Sequence, residues 1–284
     1  MTILFMLSAL CCGAEDALTV GPVEAVATGF QFSEGPVWLP GTGLVFSDIP
    51  ADTIYKTDRT EFRKPSGKSN GLTADREGRL IACEHLNRRV TRTEKDGTVT
   101  VLAEQYLGRK LNSPNDVVVR SDGTIFFTDP PYGLEGREAE LPFTGVYCIT
   151  PEGELRLLSV YFRNPNGLAF SPDEKTLYIA DSGEGFIEAF DIGKDGILRN
   201  ARLFCKDIVS PDGMKVDADG RVWTTAQDGV RVYRPNGELV ATIPFPEQPA
   251  NCAFGDEDAK TLYVTARHGL YKVRCTVKGL RPGK

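Results

Sequence analysis

Asn115-Asp116-Val117-Val118-Val119-Arg120-Ser121-Asp122-Gly123-Thr124-Ile125-Phe126-Phe127-Thr128-Asp129 reads as two apolar strands around a tight turn. Asp-Gly flanked by β-branched and aromatic residues is a strong hairpin signal. The stretch opens on an oxygen-bearing side chain, Asn115, followed by a second polar residue. The same template, with a small or polar second position, recurs at Glu34-Gly35, Asn70-Gly71, Asn166-Gly167 and Asp212-Gly213, with a degenerate copy at Ala250-Asn251. Successive openings lie 36, 45, 51, 46 and 38 residues apart. A period of this size marks solenoids, propellers or arrays.

Two more copies give equally clear hairpins. Leu72 to Cys83 turns at Arg76-Glu77-Gly78-Arg79, and Met214 to Thr225 turns at Asp219-Gly220. A second hairpin follows three of the copies: Val90 to Leu102 around Asp96-Gly97, Val146 to Leu158 around Glu152-Gly153, and Val230 to Ile243 around Asn236-Gly237. Four strands per repeat and six repeats predict an all-β, six-bladed β-propeller with four antiparallel strands per blade. An irregular β-sandwich is the alternative, and the regular repeat argues against it. No helical periodicity of useful length competes.

The 284 residues are 41% hydrophobic and 25% charged, which suits a packed soluble core. The formal charge of −6 disfavours nucleic acid and anionic membrane surfaces as partners, since both call for a basic face. No apolar run reaches the length of a spanning helix. Ile3 to Cys12 is apolar apart from Ser8, and Ala14 could end a small-residue cleavage site. This pattern predicts a leader over residues 1–14, export, and one propeller domain over 15–284. No Lys or Arg precedes the apolar run, so a frayed apolar start is the alternative. The seven cysteines include no C-x-x-C pair, and most are expected to act as small buried hydrophobes.

The innermost strands of a propeller surround its central channel. The residues that open them should therefore meet near the axis at one end. Five intact copies place Glu34, Asn70, Asn115, Asn166 and Asp212 there, with Ala250 sixth. Two carboxylates and three carboxamides offer the oxygen donors that a hard divalent cation takes, Ca²⁺ first, with Zn²⁺, Mg²⁺ or Mn²⁺ as alternatives. Asn, Asp and Gly are also turn formers, but Glu34 has little turn preference. The second strand of each repeat returns to the same end. The loops that follow carry Asp48, Glu84 with His85, Asp129 with Tyr132, Asp181 with Ser182, Gln227 with Asp228, and Arg267 with His268. Substrate contacts are expected from Asn70, His85, Asn115, Asp129, Tyr132, Asp181 and Arg267. Solvated loop residues or local turn bonds would explain any one of these equally well.

Four stretches resemble the senescence-marker/gluconolactonase (regucalcin-like) family: Ser33-Glu34-Gly35-Pro36-Val37-Trp38, Ser113-Pro114-Asn115-Asp116-Val117-Val118, Pro165-Asn166-Gly167-Leu168 and Pro211-Asp212-Gly213-Met214. Cys83-Glu84-His85 and Asp129-Pro130-Pro131-Tyr132-Gly133 are similar to its bacterial gluconolactonase branch. The resemblance implies a six-bladed propeller with one catalytic divalent cation in the channel. It implies Glu34, Asn166 and Asp212 as core metal ligands, and Asn115 as a metal or substrate ligand. The implied activity is metal-dependent hydrolysis of a sugar lactone to the aldonic acid, for which Asp212 is the expected general base. Ser113 departs from animal members, which carry a substrate-binding Arg there.

Other designs fit less well. His85 and His268 are the only histidines, which excludes a three-His zinc site and H-E-x-x-H. Gly67-Lys68-Ser69 lacks the earlier glycine of a P-loop, whose place Phe62 takes. Asp217-Ala218-Asp219-Gly220 reads as a hairpin turn rather than a calcium loop. Two further functions stay open: a metal-dependent organophosphate or ester hydrolase, and a non-catalytic propeller that binds calcium or a protein.

Overall fold

The structure is a computed structural model that describes residues 17–282. The predicted leader over 1–14, with Cys11 and Cys12, lies outside the described residues. The chain forms six four-stranded antiparallel sheets, one two-residue ladder at 105–106 and 109–110, and one 3₁₀ turn over Tyr132–Leu134. No helix among the described residues is long and apolar enough to cross a membrane.

The six inner strands are Ser33–Leu39, Ser69–Ala74, Val117–Val119, Pro165–Phe170, Met214–Val216 and Pro249–Gly255, which open blades 1 to 6. Each contacts the next, and the last contacts the first, so the ring closes as a six-bladed propeller. Blades 1 to 5 are simple meanders running outward. Blade 6 takes its outer strand from the other end of the chain: Thr19–Thr28 pairs antiparallel with Gly269–Cys275. The repeat pattern located six blades but carried no sign of this closure.

The hydrophobic core is divided among the seams between blades. Phe126 and Phe127 are adjacent, fully buried, and face opposite seams because successive strand residues alternate sides. Phe127 packs with Ile81, Cys83 and Val90 of blade 2, while Phe126 packs with Leu168 and Ile179 of blade 4. A sheet covered on both faces needs apolar side chains at consecutive positions, which explains runs such as Val117–Val119. Cys83, Cys148, Cys205, Cys252 and Cys275 are free thiols buried in these seams.

The Asp-Gly turns are three-residue loops with a G1 bulge. Gly123 N–H donates to Arg120 O at 2.9 Å, Arg120 N–H donates to Thr124 O at 2.8 Å, and Gly123 has φ 93°, which glycine adopts at little cost. Residues 94–98, 150–154, 217–221 and 234–238 repeat this arrangement. All of these turns lie at the end of the blades opposite the ring residues.

Candidate active site

Irregular backbone presents the ring residues. The pairing of the first two strands breaks register between Glu34 and Val37, between Ser69 and Leu72, between Pro165 and Leu168, and between Pro249 and Asn251. Such bulges re-aim side chains next to functional sites. In blades 3 and 5 the ring residue precedes the regular strand, and its N–H still reaches the second strand: Asn115 to Thr128 O at 2.8 Å, Asp212 to Thr225 O at 3.2 Å.

Side chains from successive blades then join. Asn70 Nδ2 donates to Asn115 Oδ1 at 2.6 Å, Asn115 Nδ2 to Asn166 Oδ1 at 2.7 Å, and Asn166 Nδ2 to Ser182 Oγ at 2.9 Å. Glu34 Oε2 accepts from Gly35 N at 2.6 Å and from Asn251 Nδ2 at 3.1 Å. Asp212 stands beside Glu34, Asn166 and Asp116. All five intact ring residues therefore gather at one mouth of the channel. Ala250 contributes only its carbonyl, which accepts from Gly213 N and Thr225 Oγ1. The sixth side chain is that of Asn251, one residue later.

Sequence reasoning missed a second tier. The residues after the ring positions are Gly35, Gly71, Asp116, Gly167, Gly213 and Asn251. A Cβ on Gly35 or Gly167 would collide with the carbonyl oxygen of Asn70 or Asp212 in the next blade. Blades 3 and 6 face each other across the ring and carry side chains at this position. Asn251 Nδ2 reaches Asp116 Oδ2 at 3.5 Å, and both residues are about 2% exposed. The signal was present in the repeat as the two non-glycine entries of that column.

Three carboxyl groups, from Glu34, Asp116 and Asp212, thus share a small space. Burial, and then the charge of Asp116, push Glu34 up to about 7. Burial raises Asp116. Burial, and then the charges of Glu34 and Asp116, raise Asp212 well above the usual carboxylate range. Lys215 offsets Glu34 and Asp116, and Arg267 offsets Asp212, without a direct ion pair among the described residues. Crowded anions with carboxamide neighbours are the donor chemistry of a hard divalent cation. Among the described residues no three His, Cys, Asp or Glu side chains form a metal cluster by themselves, so the fitting donor set is the mixed one.

The outer candidates divide. Tyr132 approaches Ser182 and Asn166 and lies near Asp212, while staying 46% exposed. Arg267 is exposed, lies over the Phe32 ring and donates to Gln248 Oε1 at 2.7 Å. His85 Nε2 lies 3.3 Å from Asn70 Nδ2, and burial lowers its pKa to about 4, so the ring is neutral. Asp129 and Asp181 do not face the mouth as expected. Both are fully buried, and their oxygens accept backbone N–H groups at Asn112 and at Arg163, Asn164, Gly183 and Glu184. Ser113 is also buried, donating to Pro130 O at 2.6 Å and accepting from Gly133 N at 2.9 Å. It holds the turn that carries Tyr132. Gly67-Lys68-Ser69-Asn70-Gly71 has the G-x-S-x-G spacing of a serine elbow, but Ser69 is buried in a strand that no helix follows. Its Oγ lies 2.9 Å from Ser47 Oγ.

Residues 32–268 match the family model described as the SMP-30/gluconolactonase/LRE-like region. A gluconolactonase of Zymomonas mobilis is 34% identical, over 91% of this chain and 82% of its own. Regucalcin of Bos taurus is 29% identical, covering 84% of each chain. Among solved structures, a gluconolactonase of Xanthomonas campestris superposes with a TM-score of 0.83 at 35% identity, covering 89% of each chain. The chain belongs to the SMP-30/gluconolactonase/LRE-like family.

Proposed function

We propose that the protein hydrolyses a sugar lactone to the aldonic acid with the help of one divalent cation, Ca²⁺ in the first instance. The observation that carries this is the convergence of Glu34, Asn115, Asn166 and Asp212, from four blades, at one channel mouth. The 34% identity to a gluconolactonase supports the same reaction. Glu34, Asn166 and Asp212 would hold the cation, with Asn115 beside them. When bound, the cation supplies Lewis-acid polarisation of the lactone carbonyl and charge for the oxyanion.

The other steps fall to the protein. Asp212 accepts a proton from the attacking water. The Asn70–Asn115–Asn166 chain holds the carboxamides in one orientation, and neutral His85 buttresses Asn70. Tyr132 and Arg267 meet the sugar hydroxyls. Export through the 1–14 leader belongs to the same proposal, and the N-terminal sequence of mature protein tests it.

A pH-stat assay with several aldonolactones and a model phosphotriester, with and without chelator, tests the reaction. Lactone hydrolysis should vanish with chelator and return with Ca²⁺. Full activity in metal-free protein would remove the cation from the scheme. Turnover of the phosphotriester alone would reassign the substrate, and cation binding without turnover would make the propeller a binding module.

A further inference from the structure

The second strands of blades 1, 3 and 4 end on Asp48, Asp129 and Asp181. Each side chain points back to the segment that enters its own blade. Asp48 accepts from Gln31 N and Phe32 N, both at 3.0 Å. Asp129 Oδ2 accepts from Asn112 N at 2.8 Å, while its Oδ1 is buried without a hydrogen-bond partner among the described residues. Asp181 Oδ2 accepts from Arg163 N at 2.7 Å, and Oδ1 from Asn164 N at 3.2 Å. In blades 1 and 4 the donors stand three and two residues before the ring residue, Glu34 or Asn166, and in blade 3 the one donor stands three residues before Asn115. Blade 2 reaches a similar result by another route. Asp52 Oδ1 accepts from Ser66 N at 3.0 Å and Lys68 N at 2.7 Å, ahead of Asn70. Glu84, at the end of its second strand, is instead taken up by Arg63, Arg89, Asn87 and Thr91. Blades 5 and 6 carry Ala226 and Ala266 at that position.

The entering segments lie outside the sheet ladders, so these N–H groups have no strand partner and must be satisfied otherwise. A carboxylate that accepts two neighbouring N–H groups forms short, charge-assisted bonds and fixes the peptide planes between them. A ligand residue two positions further on then has little freedom left. Partners behind the ligands commonly govern the affinity of a cation site.

We propose that Asp48, Asp129 and Asp181 are positioning residues, which set the affinity of the mouth for a divalent cation by holding the entries to Glu34, Asn115 and Asn166. The inference rests on the function proposed above. A matched control exists at the other end of the propeller. Asp217 is equally buried and accepts from Asp219 N at 3.0 Å, Arg221 N at 2.9 Å and Trp223 Nε1 at 3.0 Å.

The test is calorimetric titration of full-length Asp48→Asn, Asp181→Asn and Asp217→Asn with Ca²⁺, together with thermal midpoints and the kcat and KM for a lactone. The two ring-end variants should bind Ca²⁺ about 10- to 100-fold more weakly and recover kcat at saturating Ca²⁺. Asp217→Asn should lose thermal stability and keep the wild-type Kd. Should Asp181→Asn not fold, Asp48→Asn and Asp129→Asn carry the same expectation on separate blades. Ring-end variants that lose stability as Asp217→Asn does, yet keep the wild-type Kd, overturn the inference alone. A wild-type protein that neither binds Ca²⁺ nor hydrolyses a lactone overturns the function and the inference together.

Discussion

Aspartates accept backbone N–H groups at both ends of the propeller, but over different stretches of chain. At the turn end the bonds are local. Asp75 Oδ1 accepts from Glu77 N and Arg79 N, Asp122 Oδ1 from Thr124 N, and Asp96 Oδ1 from Thr98 N, all within four residues. At the ring end Asp48, Asp129 and Asp181 reach back 16 to 18 residues, and Asp181 adds two local bonds, from Gly183 N and Glu184 N. A local bond forms as the turn forms and shapes only that turn. A remote bond exists only once a blade has folded, and it passes the geometry of the sheet to the mouth. The turn end should therefore tolerate change that the ring end does not.

The largest effect should come from the carboxylates of the mouth. Asp212→Asn keeps an oxygen and the side-chain shape but loses the proton acceptor. Turnover at saturating Ca²⁺ should fall about 10²- to 10⁴-fold. Glu34→Gln removes the same charge without a proposed acceptor, so excess Ca²⁺ should restore far more of its turnover. Steady-state kinetics across a Ca²⁺ series separates the two. Equal rescue would remove Asp212 as the base and leave both residues as ligands.

Proton linkage comes next. Glu34 rises from 4.5 to about 7, through burial first and the charge of Asp116 second. A carboxyl raised in this way binds its proton more tightly in the folded state. Its contribution to stability is complete below pH 4.5 and is lost as pH climbs to about 7. At 1.36 kcal/mol per unit the loss is at most about 3 kcal/mol. Without cation, wild type should therefore lose stability relative to Glu34→Gln across that window. Urea titrations in chelator at both pH values measure it. Asp129, which burial also raises to about 7, is present in both proteins and cancels. A difference that stays flat with pH would show that neither burial nor Asp116 raises Glu34.

How far each end could be read from sequence follows the same division. The turn end is written in four-residue words such as Ser121-Asp122-Gly123-Thr124, and its hairpins form where the residues predict. The ring positions were legible because they repeat. Closure of blade 6 was not, because Thr19–Thr28 is an edge strand with an irregular apolar pattern and belongs to no repeat. Asp129 and Asp181 were expected at the substrate. An Asp at a loop start looks the same whether it meets solvent or a backbone 17 residues earlier. Ala250 does occupy the sixth ring position, since its carbonyl accepts from Gly213 N as the Asn115 carbonyl accepts from Gly71 N, and Asn251 belongs to the column of Asp116.

Glycines at the two ends sharpen the contrast. A Cβ on Gly167 would collide with the backbone carbonyl of Asp212, which cannot swing aside without moving the mouth. Gly167→Ala should cost about 1–3 kcal/mol or more and should also weaken Ca²⁺ binding. A Cβ on Gly97 meets nothing, and only its φ of 86° resists substitution. Gly97→Ala should cost about 1 kcal/mol and leave turnover unchanged. Thermal melts and Ca²⁺ titrations on the pair check both statements. Loss of turnover in Gly97→Ala would mean that the turn end reaches the mouth.

The smallest effect should come from Asp96→Ala. Asp96 is exposed and accepts from Thr98 N at 2.9 Å. The turn has other supports. Gly97 N–H donates to Glu94 O at 3.0 Å, and Glu94 N–H donates to Thr98 O at 2.8 Å. Water can take the place of the carboxylate at an exposed N–H, so the bond is exchanged rather than lost. The thermal midpoint should fall by about one or two degrees, with Ca²⁺ affinity and turnover unchanged. Asp48→Asn removes the same kind of bond and should change Ca²⁺ affinity at least tenfold (about 1.4 kcal/mol). If Asp96→Ala disturbed Ca²⁺ binding as much as Asp48→Asn, the range of the bond would not be what separates the two ends, and blade 2 would have to transmit strain along its whole length.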